Sequence, residues 1–459
     1  MEPWQRAQYL VILTVAMSHV GFDLTQPFIP LYVRQLGVTD LGEAAFWSGL
    51  TVGISPLGGA LLGPLWGMLA DRFGRKLMVL RSLVMMSILH FALAFVPDVG
   101  WLFGLRFAVG LVAGFGPMSM ALAVSLGPRE HMGRAIGLIQ AAQFLPLAIG
   151  PPIGGLISDA FGLRANFILT GVLLIPPALL LFFLVQENVY DAPPDRPAGK
   201  AGARGSLLGA LLLPGFAAVL GVTFMGRFTD RALPPILPLY LVELETPSAQ
   251  LATVTGLVVS AGAVAATVSS MLFGRLARPG NTRRLLLLSL AGGAACSAPL
   301  ALTTGWPQVL GLRLLLGLLA GGTLSLAYTL GARLAPPERS AFTLSVVASG
   351  GQLGGALAPV SAGLLGQFSL RAVFLANAVA YLIALALTLL ILRAGGLVVR
   401  PGYEERQREG EQVGHGVGQE DGPQAELAEQ AGRHRREGAA ELAAAGHDAQ
   451  GEGRALGRG

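Results

Sequence analysis

The sequence predicts an all-α membrane protein: twelve transmembrane helices in two pseudo-symmetric six-helix bundles, both termini cytoplasmic. Three observations predict it. The chain is too poor in charge to wet its own surface, it carries twelve apolar stretches of spanning length, and its second half repeats the first.

Of 459 residues, 53% are hydrophobic and only 13% charged, with a mean hydropathy of +0.61. Soluble domains carry about 25% charged residues, so the solvent for most of this chain is lipid. The single cysteine, Cys296, excludes a disulfide framework and a cysteine metal cluster. Three of the six histidines lie beyond residue 400. No metal or other cofactor is expected. The pI of 9.7 reads as membrane topology rather than nucleic-acid binding. Residues 401–459 hold 12 of the 27 acids, with Val413, Val417, Leu427, Leu442 and Leu456 as their only large aliphatic residues. Such a stretch buries too little apolar surface to order itself, so it reads as a disordered tail.

A helix needs about 20 apolar residues to cross the hydrocarbon core. Twelve stretches qualify: roughly 8–33, 44–69, 77–96, 99–126, 132–158, 164–185, 207–241, 250–274, 283–303, 307–333, 341–366 and 371–393. The first contains Asp23 and Pro27 and lacks a convincing cleavage site, so it reads as a retained span. Of the 25 basic residues in 1–400, one set of alternate flanks holds 18 and the opposite set only Arg34, Arg164 and Arg371. Lys and Arg favour the cytoplasmic side, which places both termini there. Arg106, Arg227, Arg231 and Arg313 remain inside spans.

A shift of 207 lays the second half on the first. Asp23 meets Asp230, Pro27 meets Pro234, and Arg106, Gly110 and Gly114 meet Arg313, Gly317 and Gly321. Arg164 and Phe167 meet Arg371 and Phe374; with one more residue Tyr32 meets Tyr240 and Pro151 meets Pro359. The expected organisation is a bundle at 1–185, a cytoplasmic linker at 186–206, a second bundle at 207–393 and the tail at 394–459. Parallel six-span repeats are one of the transporter symmetries, with the site at their interface near mid-membrane.

Between spans 2 and 3 lies Gly67-Met-Leu-Ala-Asp71-Arg72-Phe-Gly74-Arg75-Lys76, preceded by Pro64-Leu-Trp66 and followed by Leu77–Arg81. This resembles the signature loop of the major facilitator superfamily, and of its twelve-span drug:proton antiporters, the MdtG-like multidrug exporters in particular. The resemblance runs through residues 8–393. It implies the major facilitator fold and a cytoplasmic gate built from Gly67, Asp71, Arg72, Gly74, Arg75 and Lys76, with Asp71 near the start of helix 11. A carboxylate at a helix N-terminus gains about 0.3–1 kcal/mol. The alternative is that the basic residues only anchor topology. The second copy carries Arg278 where the aspartate would stand, so the latch should be asymmetric.

Arg106, in Leu102-x3-Arg106-x3-Gly110, resembles a second family motif whose arginine is tied to proton coupling, with Val109 replacing its usual polar residue. An arginine inside a span costs at least about 2.5–3.5 kcal/mol and so takes a partner or a task. Asp23 and Arg106 both sit roughly 9–10 Å below the outer surface at about 1.5 Å per residue, and Asp230 and Arg313 correspond. Two Asp–Arg pairs, or two shared networks, are expected. A carboxylate that exchanges an arginine for apolar surroundings or substrate cycles a proton; otherwise the pairs only lock helices. Asp23 is the stronger candidate, because Arg227 and Arg231 crowd Asp230. His19 reads as a hydrogen-bonded bystander and His90 as packing.

Span 5 holds Gly137, then Pro146-x3-Gly150-Pro151-x2-Gly154-Gly155. This resembles the family's antiporter motif, which implies efflux, with Pro146 in place of a glycine; the alternative is ordinary small-residue packing. Intramembrane polar residues that could line a substrate cavity are Gln26, Gln140, Gln143, Asn166, Tyr328, Gln352 and Asn377, with Phe28, Phe144 and Met118 as apolar contacts.

The function expected is a monomeric proton-coupled exporter of amphipathic small molecules in a bacterial inner membrane, its partners being substrate, protons and lipid. The alternative is a carrier of one metabolite, an anion if Arg227 and Arg231 receive it. No Walker loop, G-x-S-x-G or H-E-x-x-H is present, and the repeat argues against an enzyme. Truncation after Arg400 is expected to leave transport unchanged in a whole-cell efflux assay; lost activity at equal expression would show that the tail matters.

Overall fold

The computed structural model describes residues 2–128, 131–186, 216–278, 281–334 and 340–393. The linker and tail lie outside the described residues. The described residues form twelve successive helical segments, all in one compact unit, Met1–Gly396. Helix α1 runs Pro3–Thr25, passes a 3-10 turn at Gln26–Phe28 and resumes as Ile29–Gln35. Then come α2 (Leu41–Phe73), α3 (Arg75–Ala94) and α4, in two pieces (Val99–Val112, Phe115–Ser125). After these are α5 (Met132–Phe161) and α6 (Leu163–Leu173, Ile175–Leu184). The second half has α7 (Phe216–Ala232, Leu237–Glu243), α8 (Leu251–Leu276) and α9 (Thr282–Leu300). It ends with α10 (Trp306–Ala320, Thr323–Leu334), α11 (Ser340–Gly366) and α12 (Leu370–Arg393).

Among the described residues, nine of these segments are long and apolar enough to cross a membrane; α7, α9 and α11 fall short. In α7 the described helix is short, 17 residues from Phe216 to Ala232 before the break at 233–236, and it carries Arg227, Asp230 and Arg231. Large apolar side chains face outward along the spans, Phe183 and Leu288 among them. Buried hydroxyls turn back onto their own helix: Thr14 donates to Leu10 O, Ser18 to Thr14 O and Thr223 to Val219 O. Lipid offers polar groups no alternative partner, so they are satisfied internally.

The interruptions repeat with the sequence. Proline breaks α1 at Gln26–Phe28 and α7 at residues 233–236. Gly114, at φ 122°, takes a backbone conformation closed to other residues and breaks α4, and Gly321-Gly322 break α10 at the same point of the repeat. The break in α6 has no counterpart in α12. There Pro176-Pro177 remove two amide donors, whereas α12 has Ile383-Ala384 and runs on.

One corner is repeated atom for atom. Tyr32 donates to Leu93 O at 2.9 Å, and its ring lies 4.8 Å from that of Phe167. Tyr240 donates to Leu300 O at 2.9 Å, and its ring lies 4.7 Å from that of Phe374. The accepting carbonyls are at the C-terminal ends of α3 and α9, where a helix leaves such groups without partners. Each tyrosine thus ties helix 1 or 7 to the end of helix 3 or 9 inside its own half. Tyr32→Phe and Tyr240→Phe should each lower stability by about 1–3 kcal/mol, read as a drop in thermal melting in detergent; a variant melting like the wild type would show that its carbonyl is satisfied elsewhere.

Candidate functional site

The two halves meet along two seams, α2 with α11 and α5 with α8. Each seam closes where a glycine faces a proline carbonyl. Gly49 packs on Pro359 O, and Gly256, 207 residues later, packs on Pro151 O. A Cβ at Gly49 would also stand 2.7 Å from Gly363 Cα, and one at Gly155 would stand 2.7 Å from Thr253 Cα. The seams extend inward to Gly53 against Val360 and to Ser260, which donates to Leu147 O at 3.2 Å. An apolar plug of Phe28, Leu31 and Ala252, flanked by Leu163, Val242 and Leu251, joins helices of both halves at the outer end.

Toward the face that the basic residues assign to the cytoplasm, the seams part. Positions Gly63, Gly67, Gly137 and Gly274 have open space where a side chain would stand. Gln140 lies seven residues before Leu147, and Gln352 seven before Pro359, so each continues the seam-facing stripe of its helix. Both are exposed. Among the described residues the molecule is therefore shut on the outer side and open on the inner side.

Below the plug stand the intramembrane charges. Gly150 and Gly154 of α5 let α1 approach so closely that a Cβ at Gly150 would come 2.7 Å from Asp23 Cβ. Asp23 is half-buried and makes no hydrogen bond or ion pair among the described residues. The Asp23–Arg106 pair expected from depth is not formed. Arg106, 2% exposed, donates through Nη2 to Gln26 Oε1 at 3.1 Å, and its carbonyl accepts from Ser55 Oγ at 2.6 Å. Depth sets the level of a residue along a helix but not its direction around it, and Gln26, one turn beyond Asp23, reaches the guanidinium instead. The charge that acts on Asp23 is Arg231, from the other half.

The second half is wired differently. Asp230 and Arg231 are exposed and 3.6 Å apart. Arg313 acts on Asp230 electrostatically without an ion pair and lies over Gly262. Arg227 packs beside Gly351, close to the Tyr328 hydroxyl, and its Nε has no partner. The second Asp–Arg pair is thus also replaced, here by a looser cluster.

Of the residues expected to line a substrate cavity, Gln26, Gln140 and Gln352 are exposed, and Gln143 and Tyr328 half-buried. Four others pack instead. Asn166 donates to Leu24 O at 3.0 Å, Gly154 O at 2.9 Å and Ser158 Oγ at 2.8 Å, and Asn377 donates to Ser297 Oγ at 3.3 Å. Phe28 belongs to the plug, and Met118 is buried against Gly114. The Phe144 side chain lies outside the described residues. His19 contacts Val15 O at 2.9 Å, and His90 contacts Met86 O at 2.7 Å.

At the cytoplasmic loop, Gly74 with φ 95° ends α2 and starts α3 in one residue. Arg75 donates to Ala121 O at 3.1 Å, Lys76 to Phe182 O at 2.9 Å, and Arg72 lies over the Phe73 ring. The side chain of Asp71 and those of the first turns of α11 lie outside the described residues, as does their expected contact. Trp66 and Arg81 brace the break in α4: Trp66 Nε1 donates to Leu111 O at 2.7 Å and Arg81 to Val112 O at 3.1 Å, with the guanidinium 3.5 Å over the indole. The repeat has Phe273 in place of Trp66, packed against Gly322.

The chain is similar to known proteins over most of its length. The Major Facilitator Superfamily model matches residues 11–306 and 219–437. A multi-drug resistance efflux pump PmrA homolog of Lactococcus lactis subsp. lactis (strain IL1403) is 31% identical over 80% of this chain and 90% of its own. Multidrug resistance protein MdtG of Dickeya zeae (strain Ech586) is 32% identical over 82% of this chain and 91% of its own. MdtG of Serratia proteamaculans (strain 568) is 35% identical over 71% and 79%. Among solved structures, a bacterial homolog to the human lysosomal transporter Spinster, inward-facing and unoccupied, superimposes with a TM-score of 0.71 at 18% identity, covering 86% of this chain and 98% of that one. The human organic anion transporter MFSD10 (TETRAN) gives a TM-score of 0.56 at 18% identity.

At the seams the obstacle to a side chain is backbone, which cannot rotate away. Gly49→Val and Gly256→Val are each expected to cut transport more than tenfold in membranes holding normal amounts of protein; transport at wild-type rates would show that the seam yields.

Proposed function

Because this chain belongs to the major facilitator superfamily, we propose that it exports amphipathic small molecules in exchange for protons by alternating access. It is a multi-pass membrane transporter that takes small-molecule substrates. Export runs against protons across a bacterial inner membrane, with the chain acting as a monomer. Residues 1–185 and 207–393 would rock against each other, joined by 186–206.

One observation carries the reading: Asp23 is a half-buried carboxylate without a hydrogen bond or ion pair among the described residues, on the part of α1 that the helix 5 glycines admit. The neighbouring arginine is already taken by Gln26, so Asp23 is left to a proton or a substrate. When the outer side is open, Asp23 takes up a proton. When the inner side is open, substrate enters among Gln26, Gln140, Gln143, Tyr328 and Gln352, and the proton leaves to the cytoplasm. Rocking then carries the substrate outward. Arg106 positions Gln26 from a buried seat. Arg231 acts on Asp23 across the cavity, so separation of the two during rocking changes how firmly the proton is held. Asp230 stays in a cluster with Arg231 and Arg313 and serves as the secondary coupling site. The gate Gly67, Asp71, Arg72, Gly74, Arg75 and Lys76 closes the inner side once the halves rock. Helix 5 contributes Gly150 and Gly154 as the face on which α1 slides and Pro151 and Gly155 as that for α8, with Gly137 at the open end of the same helix. The efflux named for the PmrA homolog and MdtG relatives supports export of drugs.

A second reading rests on the basic wall of α7. Arg231 is 60% exposed in its side chain, and the Arg227 Nε is without a partner, which suits an anionic metabolite.

Inverted vesicles loaded with a pH dye test the first reading. Adding drug should dissipate an imposed proton gradient, and Asp23→Asn should abolish this while the protein still folds. Coupling that survives in Asp23→Asn would remove Asp23 from the role.

A further inference from the structure

The N-terminus of α8 is built without a cap of its own. The residue before the helix, Gln250, makes no side-chain cap, and the chain arrives through a short 3-10 turn, Ser248–Gln250. In the first half the equivalent helix, α2, is capped internally: Asp40 Oδ2 accepts from Glu43 N at 2.7 Å. The repeat places Pro247 where Asp40 stands, and proline has no side chain that can do this.

The missing cap comes from the other half. Asp159, in the last turn of α5, accepts from Ala252 N at 3.1 Å through Oδ1 and from Thr253 N at 2.8 Å through Oδ2. The Thr253 hydroxyl donates to the same Oδ2 at 2.6 Å. One carboxylate thus takes three bonds across the seam, one turn beyond the Gly155 contact, beside the apolar plug that contains Ala252.

The arrangement has a direction. A negative charge in the last turn of a helix opposes that helix's own dipole, and the same charge at a helix N-terminus is stabilised. Asp159 is therefore poorly placed in α5 taken alone and well placed only while α8 is against it. Opening the outer side separates the two. It leaves two amide donors of α8 uncapped and the carboxylate at the unfavourable end of α5. Among the described residues the other seam shows no such side-chain cap: the position matching Asp159 is Gln367, whose backbone carbonyl lies against Gly42.

The geometry points to Asp159 as a positioning residue for transport: an outer latch that holds the cytoplasm-open state by capping α8 from across the interface. The inference rests on the chain switching between two states, not on what it carries or whether protons drive it.

Spin labels at Phe95→Cys and Leu302→Cys, in a Cys296→Ser background, report the outer opening. These positions are exposed, equivalent in the two halves and remote in sequence from the latch. Distances are measured by double electron–electron resonance without substrate or gradient. Asp159→Ala should raise the ratio of outer-open to outer-closed molecules about tenfold or more, as expected for losing hydrogen bonds to a charge. Asp159→Asn should shift it less, because asparagine still caps a helix. Thr253→Val added to Asp159→Ala should shift it no further. A wild-type distance distribution in Asp159→Ala, or a fully additive double variant, would overturn the latch. Should Asp159→Ala not fold, the Asp159→Asn/Thr253→Val double variant decides: an outward shift supports the latch and a wild-type distribution overturns it. Drug-evoked proton flux in the same variants separates the two ideas, since loss of coupling in Asp23→Asn says nothing about the distances.

Discussion

Two halves that must rock without coming apart need contacts that are close yet hold no side chains to be pulled loose. Gly49 on Pro359 and Gly256 on Pro151 supply them. At these points backbone meets backbone, and the proline carbonyl accepts nothing from the opposing helix that would have to be replaced when the angle changes. The plug of Phe28, Leu31 and Ala252 is held shut by the closeness of these seams. So is the placing of Asp23, since the glycines that admit α1 to α5 lie on the same helix as those that admit α8.

On this symmetric frame the polar chemistry is unequal. The first half commits its buried arginine to Gln26 and leaves Asp23 alone. The second has leucine at the place of Gln26, two further arginines, and an aspartate exposed beside one of them. Exposure lets the second arrangement keep its charges solvated, and the partial burial of Asp23 makes the first one responsive. The breaks in α4 and α10 differ likewise. Trp66 and Arg81 satisfy the carbonyls freed at one, whereas Phe273 packs against the other.

Much of this was legible in the sequence because it follows from period and composition. Twelve apolar stretches, the shift of 207 and the one-sided arginines describe a membrane bundle without reference to any contact. The matching of Tyr32 with Tyr240 and of Phe167 with Phe374 even identified the residues of the tyrosine corners, though not their role as caps for α3 and α9. Azimuth was not legible. Asp23 and Arg106 share a depth, but the partner of Arg106 is decided by which way each helix is turned. Asn166 and Asn377 read as cavity residues because a polar side chain in a span has to go somewhere, and packing against a neighbouring helix uses the same residue types. Asp159 carried no signal of its own. Its meaning depends on a cap that is missing elsewhere, at Pro247, and only the fold brings the two positions together.

Each tyrosine corner closes its hydrogen bond and its ring contact inside its own half. Substitutions along the cavity in one copy of the ancestral bundle therefore needed no matching change at the corner of the other. After the duplication the two copies could drift apart in what they bind while each remained a foldable unit. The survival of Tyr and Phe at both corners, beside the divergence of Gln26 from Leu233 and Leu24 from Arg231, is the record such drift leaves.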